Sequence, residues 1–439
     1  MTSGDGEPEA RGRRAPPNAR TLAARVLERV HRDGAFAAAA LDAEMERLPE
    51  FDPRDRALAT EIVYGVLRTE AALRELVSAH ATRGLPKDPV VVSHLLVAAY
   101  QLAFLDRVPA HAVVDAAVTA VSAARGRRVS GFVNALLRKV AAGPRPERGA
   151  AIRRSAPPWL LRALVRDVGE EEADALLGVS EGELRTAVRV VSGKEAPEWL
   201  ASAGRGRVSP RARLVPRGGD LRKRQGYREG AFVLQEEGAQ AVALALGARP
   251  GERVLDACAG RGQKTTLLRE CIGPAGELVA TDLYPDKLGQ LARELERLSL
   301  APVTTLAVDW TVGDGGLRPG FDRVLVDAPC TGTGTLRHRP EIARRLGPED
   351  PARVARTAEA IFRRAGGLAR PGGRVVFAVC SVLREECEDV VASVSDVFEP
   401  APFDAPELVS VIAPGATSFR LGPSRHGTDG FFVASFVRR

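Results

Sequence analysis

From about Arg249 onward the chain repeats one unit, a short apolar run followed by a stretch with helical spacing, and this repeat narrows the possible folds more than any other feature. The runs are Arg253–Ala257, Glu277–Thr281, Val303–Val308, Asp322–Val326 and Arg374–Val379. They are rich in β-branched residues and close to continuous, so both faces of each strand must be covered, as in a parallel sheet. Helical stretches at Thr265–Cys271, Asp286–Ser299 and Pro351–Leu368 lie between them. Parallel neighbours need long crossovers, and helices supply them. The expectation is a doubly wound α/β sheet over residues 231–439, closed by an antiparallel strand at Phe431–Phe436.

Upstream the period changes. In Thr21–Val30 apolar residues fall at Leu22, Val26, Leu27 and Val30, a helical stripe. Comparable stripes run through Arg56–Arg68, Ala71–Ala79, Pro89–Leu105, Ala112–Ala124 and Gly131–Val140. Polar breaks such as Gly84-Leu85-Pro86 separate them, which predicts an all-α domain of about six helices over 19–142, behind a disordered tail at 1–18. Residues 143–230 read as a linker and small connecting subdomain: a basic, Pro-rich stretch at Gly143–Pro158, one or two helices in Pro158–Leu177, and a β-like run at Thr186–Val191.

Several classes drop out. No run reaches 18 apolar residues, and the first 20 residues carry no apolar leader core, so a cytoplasmic protein away from the membrane is expected. The five cysteines (Cys258, Cys271, Cys330, Cys380, Cys387) show no CxxC spacing and are too few for a disulfide framework, so no metal site is expected. All five lie at or beyond residue 258, which assigns any cysteine chemistry to the α/β part.

Net charge points to a polyanion. The chain carries +7 overall, but Arg205–Arg228 holds nine basic residues against Asp220, and Arg125–Arg154 nine against Glu147. Each segment is locally +8, leaving the remainder acidic at −9. Two concentrated basic segments on an acidic body suit nucleic acid. The plainer alternative is two solvated loops in an Arg-rich chain.

In a doubly wound sheet, ligands bind beyond the carboxyl ends of the strands. Here Asp256, Asp282, Asp309 and Asp327 stand at or just past four such ends. Asp256 opens the turn Asp256-Ala257-Cys258-Ala259-Gly260-Arg261-Gly262-Gln263-Lys264-Thr265, whose glycines let the backbone turn tightly against a ligand. A phosphate-binding P-loop needs Gly where Gln263 stands; a dinucleotide fingerprint needs Gly where Thr265 stands. S-adenosylmethionine asks for a glycine turn after the first strand and an acid ending the second, and Asp282 can accept both ribose hydroxyls. Its sulfonium suits an acidic rim. Any one of these acids can instead be a helix cap.

Two cysteines also fall at strand ends. Asp327-Ala328-Pro329-Cys330-Thr331-Gly332 follows the fourth strand and Val379-Cys380-Ser381 the fifth, which sets both beside the cofactor pocket. A single buried cysteine is usually packing. Cytosine C5 offers chemistry for a pair: it becomes nucleophilic after a thiolate adds at C6, takes a methyl group, and is released when a base removes its proton. An ordinary thiol is only roughly a few per cent ionised at neutral pH, so a helper is needed. Asp327 is a candidate proton acceptor, although a nearby carboxylate by itself raises a thiol pKa.

The segments VLDACAGRGQKT, TDLYPDKL, DRVLVDAPCTGTGTLRHRPEI and VVFAVCSVLREECEDV, with the closing Asp429-Gly430-Phe431-Phe432, resemble the Sun/Nop2 family of RNA cytosine-C5 methyltransferases. His111-Ala112-Val113-Val114-Asp115 and Gly131-Phe132-Val133-Asn134-Ala135-Leu136-Leu137-Arg138 resemble the NusB-like helical RNA-binding domain fused to bacterial members that modify 16S ribosomal RNA. The resemblance implies a Rossmann-like class I methyltransferase domain, with Cys380 as nucleophile and Cys330 as the cysteine that helps release product. It implies cofactor contacts from Cys258, Ala259, Gly260, Arg261, Gly262, Gln263 and Lys264, and from Asp282, Asp309 and Asp327, with Lys264 near the methionine carboxylate. The partner is then RNA, small-subunit rRNA above all, engaged by a monomer, with Arg337, His338 and Arg339 near the target nucleotide. Three features depart from the family pattern. Arg261 and Gln263 add bulk where Ala-Pro-Gly-Gly-Lys is usual, Val379 replaces a common Thr, and residues 178–215 match poorly. Competing functions are a C5 methyltransferase acting on tRNA, a DNA-type enzyme attacking with its Pro-Cys thiol, and a non-enzymatic rRNA assembly factor.

Overall fold

The computed structural model describes residues 18–439 apart from 49, 83, 180–184 and 217. The tail expected over 1–18 lies, Asn18 excepted, outside the described residues. The chain divides into two compact units, residues 1–146 and 147–439.

The first unit is helical: α1 (Ala19–Arg32), α2 (Ala37–Glu46), α3 (Pro53–Ser78), α4 (Pro89–Phe104), α5 (Ala110–Arg125) and α6 (Arg127–Ala142). Asn18, Asp52 and Asp88 start α1, α3 and α4 by accepting hydrogen bonds from first-turn amides, and Pro follows both aspartates. The apolar run from Val90 forms the central helix α4, buried from Val91 to Ala103. Tyr100 of α4 crosses α3 at Gly65, where a Cβ would stand 1.9 Å from its ring. Two details differ from the sequence reading. The stripes at Arg56–Arg68 and Ala71–Ala79 form the single helix α3, because the polar residues between them are buried and satisfied. Thr69 donates to Gly65 O (2.7 Å), and Glu70 accepts from Arg74 (2.7 Å) and lies 2.9 Å from His31. The Ala-rich α2 carries no stripe and went unread.

The second unit begins with α7 (Arg148–Ser155), α8 (Pro158–Val168) and α9 (Glu170–Leu177). The stretch 143–158 is therefore not linker throughout: Glu147 caps α7 through the amides of Gly149 and Ala150. A four-stranded antiparallel sheet follows, formed by β1 (Arg185–Val190), β2 (Gly204–Arg205), β3 (Ala212–Pro216) and β4 (Phe232–Leu234) in the order β2-β3-β1-β4. Val188, Leu200, Val215, Leu221, Ala231 and Phe232 make its small core.

The main sheet has eight strands: β5 (Arg253–Asp256), β6 (Glu277–Asp282), β7 (Thr304–Ala307), β8 (Phe321–Asp327), β9 (Ala369–Val379), β10 (Phe398–Pro400), β11 (Ser418–Leu421) and β12 (Phe431–Arg438). Its order is β10-β12-β9-β8-β5-β6-β7, with β11 on β12. Strands β5 to β9 pair in parallel, and β12 runs antiparallel to β9. Helices Gln263–Ile272, Pro285–Leu298 and Asp350–Gly366 cover the faces. The chain winds outward from β5 through β6 to β7, then returns to β8 on the other side of β5. That reversal opens a crevice beyond the carboxyl ends of β5 and β8, where a doubly wound sheet binds its ligands.

Candidate active site at the strand-order reversal

The turn after β5 is shaped by two glycines in the left-handed region, Gly260 (φ 58°) and Gly262 (φ 87°). At Gly262 a Cβ would stand 2.2 Å from Leu291 Cδ1, so only glycine lets the turn meet the helix Pro285–Leu298. Asp282, at the end of β6, locks the turn in place: its Oδ2 accepts from Gly260 N (3.0 Å), and its Oδ1 accepts from Tyr284 N (3.0 Å) and pairs with Lys287 Nζ (3.2 Å). Asp256 is buried, and its Oδ2 accepts from Thr265 Oγ1 (2.7 Å). Its Oδ1 has no partner, and burial raises the group to about 6. Cys258 packs against the core, where burial pushes its thiol up.

Lys264 bonds Asp327 across the crevice, Nζ to Oδ2 at 2.5 Å. Burial lowers the lysine, but the charge and hydrogen bond of Asp327 outweigh it, and the net shift is upward. Lys264 is therefore an ammonium, and it lies 6.0 Å from the centre of the Phe431 ring. Arg261 is exposed. Gln263 spends its length reaching β4, Nε2 donating to Leu234 O at 2.9 Å. Asp309 lies beyond the edge strand β7 and is exposed; its carboxylate accepts from Thr311 N (2.9 Å) and Thr311 Oγ1 (2.6 Å), which holds it below the usual carboxylate range.

The loops after the adjacent strands β8 and β9 bring Cys330 and Cys380 together, with their sulfurs 3.4 Å apart. The hydrogen bond to the Cys380 sulfur, and then burial, push the Cys330 thiol well above its ordinary value. Three segments interlock around the pair. Gly334 N donates to Cys380 O (3.0 Å), and Gly430 N donates to Gly334 O (2.8 Å). A Cβ on Gly334 would stand 2.0 Å from Gly430 O.

Glu386 ties the two cysteine turns together. It is 1% exposed and accepts from Thr331 N (2.6 Å), Thr331 Oγ1 (2.5 Å) and Ser381 Oγ (2.5 Å). At the rim, His338 Nδ1 lies 2.7 Å from Asp429 Oδ1, and Arg337 donates to Gly427 O (2.9 Å). Glu236 accepts from Asp429 N (3.0 Å); burial and the Asp429 charge raise it to about 8. Glu386, Asp429 and Glu236 were missed as site residues. Nothing in the local pattern separates Glu386 from the solvated Glu385 and Glu388 beside it.

A doubly wound domain with an acid-lined glycine turn and paired thiols at its strand-order reversal is a methyltransferase of the Rossmann-like class. The profile of the family "16S rRNA methyltransferase RsmB/F" matches residues 243–437, and that of the "NusB family" residues 17–142. A putative methyltransferase of Mycobacterium tuberculosis is 34% identical over 469 residues, spanning 98% of this chain and 99% of its own. The ribosomal RNA small subunit methyltransferase B of Thermus thermophilus is 35% identical over 429 residues, spanning 95% and 97%. In fold, the crystal structure of PH0851 superposes with a TM-score of 0.82 at 22% identity, over 97% of this chain and 100% of that one. The chain belongs to the RsmB/F family of 16S rRNA methyltransferases, with a NusB-like domain at its N-terminal end.

The cofactor of such an enzyme is S-adenosylmethionine, and the residues present fit it. Asp256 Oδ1 is buried without a partner, the crevice is acidic, and nothing lies within 4 Å of where a Cβ at Gly260 would stand. No helix among the described residues is long and apolar enough to cross a membrane.

Proposed function

We propose that the protein methylates C5 of a cytosine in RNA, 16S rRNA being the favoured substrate, through a covalent bond between Cys380 and C6. The 3.4 Å approach of Cys330 to Cys380 carries this reading. Two thiols held at neighbouring strand ends by a buried carboxylate exceed what packing requires.

The turn Cys258–Lys264 with Asp282, Asp327 and Asp309 would hold the cofactor, which when bound supplies an electrophilic methyl group. The Cys380 sulfur acts as a thiolate. The Lys264 ammonium is held beside it by Asp327. The Asp327 carboxylate is assigned as the acceptor that takes up the proton the Cys380 thiol gives up. Attack at C6 forms the S–C6 bond and moves the C5–C6 π electrons onto C5, which would take the methyl group as the cofactor's S–CH3 bond breaks and its electron pair stays on the departing thioether sulfur. A base takes the C5 proton, the C5–H electron pair restores the double bond, and the C6–S pair leaves on Cys380 as a thiolate.

Cys330, kept a neutral thiol, serves as hydrogen-bond donor to the departing Cys380 thiolate. That role differs from nucleophilic attack and separates the RNA-type from the DNA-type reading.

RNA engagement is assigned to the basic residues of 125–154 and 205–228, of which Arg127, Arg128, Arg138, Lys139, Arg205, Arg207, Lys223 and Arg228 are exposed. Arg337, His338 and Arg339 are assigned to the surroundings of the target nucleotide. A paired target must be extruded, at roughly a few kcal/mol.

Incubation with an rRNA fragment and cofactor tests the assignment. Cys380→Ala is expected to abolish methylation, and Cys330→Ala to accumulate a covalent protein–RNA adduct. An active Cys380→Ala enzyme, or adduct formation lost in Cys330→Ala, overturns it.

A further inference from the structure

The small sheet β1–β4 stands before the methyltransferase strands, in the stretch read from the sequence as a small connecting subdomain with one β-like run at Thr186–Val191. It and the segments beside it hydrogen-bond the two helices that carry the cofactor turn and the residues after Asp282. Gln263, the first residue of the helix Gln263–Ile272, donates from Nε2 to Leu234 O of β4 at 2.9 Å. Arg189 of β1 is 0% exposed and reaches the same helix with Nη2 on Thr266 Oγ1 (2.9 Å) and Nη1 on Glu270, while its Nε donates to Gln235 Oε1 (2.7 Å). Ser192 N, just past β1, donates to the other oxygen of Glu270 at 2.9 Å. The second helix, Pro285–Leu298, is gripped through Arg297, which donates to Tyr227 O and Phe232 O (3.3 Å). Val191, Val233 and Leu298 close an apolar contact beside it.

A buried guanidinium is kept only where its donors are matched, and this one matches three groups. Two of the three, Thr266 and Glu270, lie within six residues of Lys264 on one short helix. The side chain that departs from the expected glycine, Gln263, fixes the first turn of that helix to the same sheet.

We infer that Arg189 and Gln263 are positioning residues: they clamp the helix Gln263–Ile272 to the small sheet and so hold the turn Cys258–Lys264 ready for the cofactor. The inference rests on the functional reading above, and it gives the connecting region a role in cofactor affinity.

Calorimetric titration of the full-length protein with S-adenosylmethionine alone, without RNA, tests it. Gln263→Met keeps the bulk and removes the donor. The expected result is affinity weakened about fivefold, the fold-change that one lost hydrogen bond corresponds to. Arg189→Met is expected to weaken it further, and Arg189→Lys to recover part of the loss. In the cofactor-free Gln263→Met protein, amides of 259–268 should exchange hydrogen faster than in wild type. Arg323→Met is the control: Arg323 is also buried and bonds Glu252 and Leu246 O, but at the opposite end of β8 from Asp327. It should lower Tm and leave affinity unchanged.

Because Arg189→Met strands the Glu270 carboxylate and can fail to fold, Gln263→Met carries the decision. Wild-type affinity and exchange in Gln263→Met overturn the inference. Absence of binding by the wild-type protein at millimolar cofactor overturns instead the functional reading on which it rests.

Discussion

Replacing Glu386 by Ala removes a buried carboxylate that bonds both cysteine turns at once. Its carboxylate takes three donors, Thr331 N, Thr331 Oγ1 and Ser381 Oγ, at 2.5–2.6 Å. Hydrogen bonds to charged groups contribute about 1.5–3 kcal/mol each, though not additively. The two hydroxyls can turn to other acceptors, and Ser381 Oγ already lies 2.9 Å from Thr333 Oγ1. The Thr331 amide cannot turn. One stranded buried donor plus two weakened hydroxyl bonds comes to about 2–4 kcal/mol. At about 2–4 °C per kcal/mol for a unit of this size, the expected fall in Tm is about 5–15 °C. Activity should fall further than stability alone accounts for, since a displacement of about 1 Å at reacting groups costs on the order of a hundredfold. Glu386→Gln keeps the shape but turns an NH2 group toward one of three donors, and should lie between wild type and Glu386→Ala. Thermal melts and methyl transfer to an rRNA fragment read both effects. A Glu386→Ala protein with unchanged Tm and wild-type turnover refutes the reasoning.

Burial pushes His94 of α4 down from 6.5 to about 4, so it is neutral in the folded chain. The folded state then binds its proton later than the unfolded state, and stability present above pH 6.5 is lost as pH falls toward 4, by roughly 3 kcal/mol in all. His94→Gln should flatten that acid slope in melts across pH 4–7. Lys264→Met removes the ammonium that bonds Asp327 beside the cofactor turn. Turnover should fall by about tenfold or more, the effect of losing one charge-assisted hydrogen bond; wild-type turnover contradicts the role. Affinity for rRNA fragments should fall steeply with salt, by about a thousandfold between 50 and 200 mM if six or more phosphates are contacted. A binding isotherm indifferent to salt removes the two basic segments from the interface.

The main sheet was legible because a parallel sheet buried on both faces leaves near-continuous β-branched runs, and β5, β6 and β8 begin and end within a residue of those runs. The strand-end acids and cysteines were legible for a related reason: in this topology chemistry gathers at carboxyl ends, so order along the chain predicts proximity. Elsewhere the signal was non-local. The small sheet is built from short Arg- and Gly-rich strands whose core residues, Val188, Leu200, Val215 and Phe232, come from separate segments with no periodicity in common. Helix α2 is half alanine, a residue that fits many environments and leaves no stripe. Glu386 meets Thr331 across 55 positions, and His338 meets Asp429 across 91. In each case the local sequence looks like a solvated polar stretch, and only the fold supplies the partner that buries it.

Which sulfur bonds the base decides the central claim most directly. An rRNA fragment carrying 5-fluorocytidine at the target traps the methylated adduct, because fluorine at C5 cannot leave as a proton does. Digestion and mass spectrometry of the trapped complex should place the nucleotide on the peptide containing Cys380. Its appearance on the Cys330 peptide, or the absence of any adduct with cofactor present and the methylated site confirmed, would contradict the account.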